Sequence, residues 1–414
     1  MFSVRHRLLL QISAEGARVM AAETTRDFEA LEAQAQTLMS VFTKAGYDAV
    51  APAVIQPADV FLDVIGESLR ARTYVFTDPD GAELCLRPDL TVPTCRLHLA
   101  RHADPTTPAR YCYRGAAFRF QPQGADASHP REFRQAGIER FGDTEREAAE
   151  ADVIAIVIRA MKKVGLKDWS LRLGDLGLFS SILDVAGISP RWKKRLDDAF
   201  LKPLAFREAL KAFATGGGVT RVSMPEALLS SLDSADPAAS EATVAAYLEE
   251  KSIELIGTRP LSDITEHLIG IRESREEKPL DTTAADLIGR YVGISGPART
   301  AGAKIAELVN GAPAGSSEAL EMYDRRLALL ANAGIDLDRV TFSAEFGRTL
   351  AYYSGLVFEV RAKTLGPQSP VATGGRYDGL MRAAGADVDV SAVGAAIHTE
   401  RLLAAIQGAS SWAG

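Results

Sequence analysis

Three kinds of side chain stand close to strand ends in a way that could hold one small zwitterion. Asp89 and Thr91, just beyond a strand, can accept hydrogen bonds from an ammonium group. Arg348 offers a planar guanidinium fork of the shape that suits a carboxylate. Glu139 and Tyr353 can pair with both nitrogens of an imidazole, a ring that is costly to bury without partners. A carboxylate, a guanidinium and a polar pair are what a site for free histidine requires. Gly374 and Gly375 fit a turn where the backbone passes close to a ligand, because no Cβ stands in the way. Taken singly, each residue has an ordinary explanation: a surface carboxylate, a packed tyrosine, a turn glycine. Only their joint occurrence points to a site.

The elements that must position these groups follow from spacing. Phe28, Leu31, Ala35, Leu38 and Phe42 recur at three- and four-residue steps, which predicts an amphipathic helix ended by Gly46. Tyr47 to Ile55 is apolar with Pro52 inside it and reads as a short edge strand. Thr73 to Phe76 and Glu83 to Leu86 flank Asp78-Pro79-Asp80-Gly81, a hairpin with turn chemistry at its tip. Strands are expected at 116–121 and 135–141, joined by a mobile Gly-, Ser- and Pro-rich loop at 122–130. A helix over 145–164 and a strand over 170–173 follow. Strands resume at 340–342 and 355–361, and a last helix runs from 400 to 406.

Between them, 178–330 is rich in Ala, Leu and charge with helical periodicity, and reads as a mostly helical insertion. The chain therefore divides into an N-terminal segment, 1–24, expected to be disordered, a core at 25–177 and 331–407, the insertion, and a tail at 408–414.

At 414 residues, 47% hydrophobic and 24% charged, the composition is that of an ordinary globular protein. A net charge of −7 argues against broad binding to a phosphate backbone. The three cysteines lack C-x-x-C spacing, which points away from a disulfide framework or a zinc knuckle and toward a reducing cytoplasm. No apolar run is long enough to span a membrane. His98, His102 and His267 read as solvated or helix-face residues, not metal ligands, and no metal site is expected.

The segments Leu86-Arg87-Pro88-Asp89-Leu90-Thr91, Phe118-Arg119, Phe133-Arg134-Gln135-Ala136-Gly137-Ile138-Glu139, Gly347 to Tyr353, Gly374 to Gly379 and Glu400-Arg401-Leu402 occur in a telling order. From about residue 27 to 405 the chain resembles class II aminoacyl-tRNA synthetases, and the histidyl enzyme in particular. The resemblance implies an α+β fold, an antiparallel sheet flanked by helices. It implies that Asp89 meets the amino group, that Gln135 adds polar bonds, and that Glu139 and Tyr353 recognise the ring with Tyr352 beside them. Arg119 and Arg401 stand at the family's two arginine positions, and Arg119 completes the expected histidine-binding set.

The sequence departs from a synthetase around the nucleotide. Gln121 stands where the family has a carboxylate, His398 where it has a small glycine, and Ala351 where it has an acid before the tyrosine pair. Thirteen residues follow Arg401, too few for the anticodon-binding domain of a histidyl synthetase, so that domain is expected to be absent. Phe346 to Val357 is especially similar to the regulatory subunits of short-form ATP phosphoribosyltransferase. That resemblance implies a cytoplasmic, non-catalytic subunit that dimerises, assembles with the short catalytic subunit and passes on feedback inhibition by L-histidine as an allosteric ligand. It implies no cofactor and no tRNA. The competing reading is a truncated synthetase-like enzyme that adenylates an amino acid and transfers it to another acceptor.

Overall fold

The computed structural model describes residues 24–62, 70–122, 124–125, 129–200, 203–215, 225–251, 253, 260–276, 279–310, 314–347 and 352–408. Residues 1–23 and Arg348, and part of the 122–130 loop, lie outside the described residues. Helix α1, Thr25–Lys44, buries Leu31, Ala35, Leu38 and Phe42 on one face. Thr24 caps it by accepting from the Asp27 N–H at 3.2 Å. Gly46, at φ +85°, takes the left-handed conformation that ends it.

The apolar run after α1 is two short strands and not one. β1, Asp48–Val50, lies parallel to β5, and β2, Ile55–Pro57, joins a separate sheet. A proline cannot continue a ladder, so the chain changes sheets around Pro52. After the short helix α2, Ala58–Leu62, the hairpin β3, Tyr74–Thr77, and β4, Glu83–Leu86, completes a small sheet of order β2-β4-β3. Asp78 secures its turn by accepting from the Asp80 and Ala82 N–H groups.

Helix α3, Thr91–Arg101, leads to β5, Ala109–Phe118, and β6, Glu132–Phe141, a ten-residue antiparallel pair. Then come α4, Arg146–Lys163, β7, Ser170–Asp175, and α5, Leu176–Val185. The helices α6, Pro190–Phe200, α7, Pro203–Ala214, α8, Glu226–Ser230, α9, Pro237–Glu250, α10, Leu261–Glu276, and α11, Thr282–Val292, follow. The chain ends with β8, Ser295–Pro297, α12, Ala298–Leu308, α13, Ala314–Asn332, β9, Val340–Ser343, β10, Leu356–Arg361, β11, Ala372–Arg376, α14, Leu380–Ala383, β12, Ala392–His398, and α15, Thr399–Gln407.

The large sheet has the order β1-β5-β6-β12-β11-β10-β7-β9-β8. Its pairs are antiparallel except β1 with β5 and β7 with β9. The expected turn at Gly374-Gly375 is instead the middle of β11, where both glycines are buried. His98 lies on α3, as the helix-face reading had it, but on a buried face and not in solvent. It is fully buried, with Nε2 at 3.0 Å from the Pro105 carbonyl and Nδ1 at 3.3 Å from the Tyr111 hydroxyl, so its polar ring is satisfied inside the core.

Two compact units divide the chain, one of residues 1–185 and 290–414 and one of Ala186–Gly289. Among its described residues the second is built of helices, with no strand. In it Phe200 and Phe206 pack edge to face at 5.3 Å, and Leu229, Leu232, Val244 and Leu268 form a further apolar cluster. The span 178–330 read from the sequence is wider, because α5, α12 and α13 belong to the first unit. There α13 lies on α4, and its buried Arg326 pairs with Glu150 and Asp175, both at 2.6 Å. Among the described residues no helix is long and apolar enough to cross a membrane.

Candidate functional site

Asp89 sits between β4 and α3, held by its neighbours' backbone. Buried Arg87 donates to the Ala116 and Pro52 carbonyls, at 2.8 and 2.5 Å, and ties this connection to β5. Asp89 Oδ1 accepts from the Val92 N–H at 3.1 Å, at the start of α3. Its Oδ2 is buried and has no hydrogen-bond partner among the described residues. Burial raises the carboxyl's pKa, opposed by Arg119 and by the Val92 and Thr91 N–H groups.

Gln135 and Glu139, four residues apart on β6, point to the same face of the sheet. Gln135 Oε1 is a second buried acceptor with no hydrogen-bond partner among the described residues. Glu139 is fully buried, accepting from the Tyr113 hydroxyl at 2.9 Å and from the Tyr377 hydroxyl. Burial pushes its pKa up from 4.5 to about 7, against the hydroxyls of Tyr377, Thr91 and Tyr113 that favour the ionised form.

Glycine makes room for this carboxylate. Gly394 on β12 faces Glu139 across the ladder, and a Cβ there would stand 1.5 Å from Glu139 Oε2. Gly375 on β11 faces Gly394 in turn, and a Cβ on it would meet the Tyr353 ring at 2.9 Å. The close approach expected of the Gly-Gly pair is therefore to neighbouring strands and to Tyr353.

Asp89, Thr91, Arg119, Gln135, Tyr352 and Tyr353 line one cavity of about 340 Å³, within the range of roughly 300–1,000 Å³ usual for small-molecule sites. Glu139 stands behind its wall, and Gly374 and Gly375 are not part of the lining. Tyr352 and Tyr353 pack at 4.9 Å between ring centres, and Tyr352 meets Tyr377 edge on at 5.8 Å. Sequence reasoning missed Tyr377, Thr373, Gly394, Arg172, Glu359 and Arg361, which also line the cavity. Tyr377 alone carried a signal, two positions after Gly375 in the quoted Gly374 to Gly379 segment.

Beside this cavity lies a much smaller one of about 80 Å³, lined by Arg72, Arg119, Gln121, Phe133, His398, Glu400 and Arg401 among others. His398 stacks on Phe133 at 5.3 Å with an interplanar angle of 29°. Burial, with Arg401 and Arg119 nearby, drives its pKa well below the usual value, so the imidazole is neutral at pH 7. Gln121 accepts from Arg72 at 2.5 Å and donates to the Pro130 carbonyl at 3.0 Å. Glu400 accepts from the Arg134 N–H at 2.9 Å. The Arg72–Gln121 bond and the His398–Phe133 stack thus border a space too small for a nucleotide base and its sugar.

The model of the histidyl-tRNA synthetase family matches residues 23–232 and 239–402. The solved structure of an ATP phosphoribosyltransferase regulatory subunit/histidyl-tRNA synthetase from Bacillus halodurans has the same fold, with a TM-score of 0.66 at 21% identity over 93% of this chain and 81% of that one. A histidine–tRNA ligase subunit from Alicyclobacillus acidocaldarius gives 0.58 at 22% identity over 94% and 95%. The class is thus a histidyl-synthetase-like α+β protein. The ATP phosphoribosyltransferase regulatory subunit of Rhizobium rhizogenes is 34% identical over 88% of this chain and 95% of its own length. That of Agrobacterium fabrum is 34% identical over 85% and 91%. The chain belongs to this family of non-catalytic regulatory subunits, built on the histidyl-tRNA synthetase fold.

Proposed function

We propose that the chain binds free L-histidine in the 340 Å³ cavity and carries feedback inhibition to a short catalytic subunit of ATP phosphoribosyltransferase, the first enzyme of histidine biosynthesis, in the cytoplasm. The observation that carries this reading is the pair of buried acceptors, Asp89 Oδ2 and Gln135 Oε1, on the wall of a cavity with three tyrosines. Buried acceptors without partners are costly, and an ammonium group supplies the donors they lack. Tyr353, Tyr377 and Thr91 offer hydroxyls for the imidazole, with Glu139 fixing Tyr377 from behind. Arg348 remains the proposed partner of the α-carboxylate. No metal or cofactor enters this reading, and neither does tRNA.

Histidine regulates such a complex only if its affinity differs between active and inhibited arrangements. Self-association as a dimer is part of the proposal. Val54, Ile55, Val75, Phe76 and Phe120 are exposed large apolar residues in and beside the small sheet, a surface suited to a partner. Calorimetric titration of L-histidine into the wild-type chain and Asp89→Asn tests the site. Losing a charge-assisted bond to the ammonium is expected to weaken binding about 10- to 100-fold. Equal affinity in the two proteins would remove the amino group from Asp89.

A further inference from the structure

The cavity reaches well past the groups that suit an amino acid. One cross-strand row starts at Gly137, which faces Ala396; Ala396 faces Thr373, Thr373 faces Glu359, and Glu359 faces Arg172, and these last four line the cavity. Four strand spacings separate β6 from β7, about 19 Å at roughly 4.8 Å each. An amino acid with one imidazole extends about 7 Å at roughly 1.5 Å per bond, less than half of that span. Only Ala396 and Thr373 stand on the row between Gly137 and Glu359, so no large side chain on it separates β6 from the Glu359 end.

At the far end, Arg172, Glu359 and Arg361 all line the cavity. Glu359 is buried, accepts from Arg172 at 3.4 Å and forms an ion pair with Arg361. Arg172 also donates to Ser343 Oγ at 3.0 Å and lies 4.6 Å from the centre of the Phe346 ring. Arg361 Nε is buried without a hydrogen-bond partner among the described residues. Each guanidinium carries about five N–H donors, so two of them far exceed what one carboxylate and one hydroxyl absorb. Glu345 adds negative potential at Arg172 without lining the cavity.

A buried donor without an acceptor is the reverse of the situation at Asp89, and it calls for a ligand of the opposite kind. We propose that the Arg172–Arg361 end is an oxyanion subsite that takes a phosphate-type group of a small metabolite, alongside whatever amino acid occupies the Asp89 end. Paired planar forks recognise such oxygens through parallel hydrogen bonds. Glu359 holds the two forks side by side and offsets part of their charge. The subsite goes beyond the histidine reading and does not depend on it.

Titration calorimetry of the full chain with sodium pyrophosphate, at fixed ionic strength and without histidine, tests the proposal. One site per chain is expected, weakened about tenfold or more in Arg361→Gln and in Arg172→Gln. Circular dichroism melts report whether each variant folds. Should the glutamine variants fail to fold, Arg361→Lys keeps the charge and loses the planar fork, and weaker binding is expected there too. Absence of binding to the wild-type chain, or equal binding by the folded variants, overturns the subsite. So does loss of binding in Arg119→Gln with Arg361→Gln unaffected, because the anion would then sit at the other arginine pair. Histidine titrated into the same preparation reads the Asp89 end separately, so the two ideas fail independently.

Discussion

Glu139→Gln tests the buried carboxyl at the centre of the site. In the folded chain its pKa is raised from 4.5 to about 7 by burial, so between those values the folded state holds a proton that the unfolded state has released. The sign follows from that difference. The group favours folding least where it must ionise in both states, so stability falls as pH rises from 4.5 through 7 and then levels off. At about 1.4 kcal/mol per pH unit, the interval is worth about 3 kcal/mol in all, and roughly 2–3 kcal/mol between pH 5 and 8. Glutamine keeps an acceptor for one tyrosine hydroxyl and presents an N–H to the other, with no charge to desolvate. Urea denaturation of both proteins at pH 5 and pH 8 measures the difference. The variant should gain about 2–3 kcal/mol on the wild type between those two pH values. A stability difference that is the same at both would refute the placement of an ionising, desolvated carboxyl beneath Tyr113 and Tyr377.

Gly394→Ala places a Cβ against Glu139 Oε2 and 2.7 Å from the Ile138 carbonyl, both of which must give way. A loss of about 2–4 kcal/mol in denaturant unfolding is expected from overpacking and disturbed tyrosine bonds, and an alanine variant as stable as the wild type would contradict the close approach. Arg326→Ala leaves Glu150 with Arg376 alone and Asp175 without its bonded partner from α13, in a network whose residues are almost entirely buried. Breaking such a pair should cost about 3–5 kcal/mol in the same assay, and a loss under about 1 kcal/mol would show that α13 is not anchored through it. Incubation with L-histidine, ATP and labelled pyrophosphate should give no exchange above a blank, because His398 and Phe133 fill the space beside Arg401. Sustained exchange would restore the adenylating reading.

Local rules made part of this legible. The Asp78-Pro79-Asp80-Gly81 turn fixed the β3–β4 hairpin, and the three- and four-residue apolar steps marked α1 and α4 before any tertiary contact was known. Gly374-Gly375 was misleading because the usual reason for paired glycines is a turn. Here the reason is tertiary, with Phe358, Tyr353 and the backbone of adjoining strands occupying the places a Cβ would take. The burial of His98 on its helix was not legible, because nothing local says that Tyr111 and Pro105 will receive its ring. Helical periodicity identified helices between 178 and 330 but could not say which unit each packs into. The cavity-lining residues Asp89, Gln135 and Tyr353 were readable from motif order. Arg172, Glu359 and Arg361 reach the same cavity through the register of strands far apart in sequence, and no local pattern encodes that register.

The central claim is that a small amino acid is held where a nucleotide is refused. A crystal structure of the chain soaked with L-histidine and magnesium ATP tests it most directly. Histidine should lie with its ammonium group on Asp89 Oδ2 and Gln135 Oε1 and its ring among Tyr353, Tyr377 and Thr91, with no triphosphate beyond His398. A triphosphate lying across Arg119 and Arg401, with the imidazole of His398 swung away from Phe133, would contradict it.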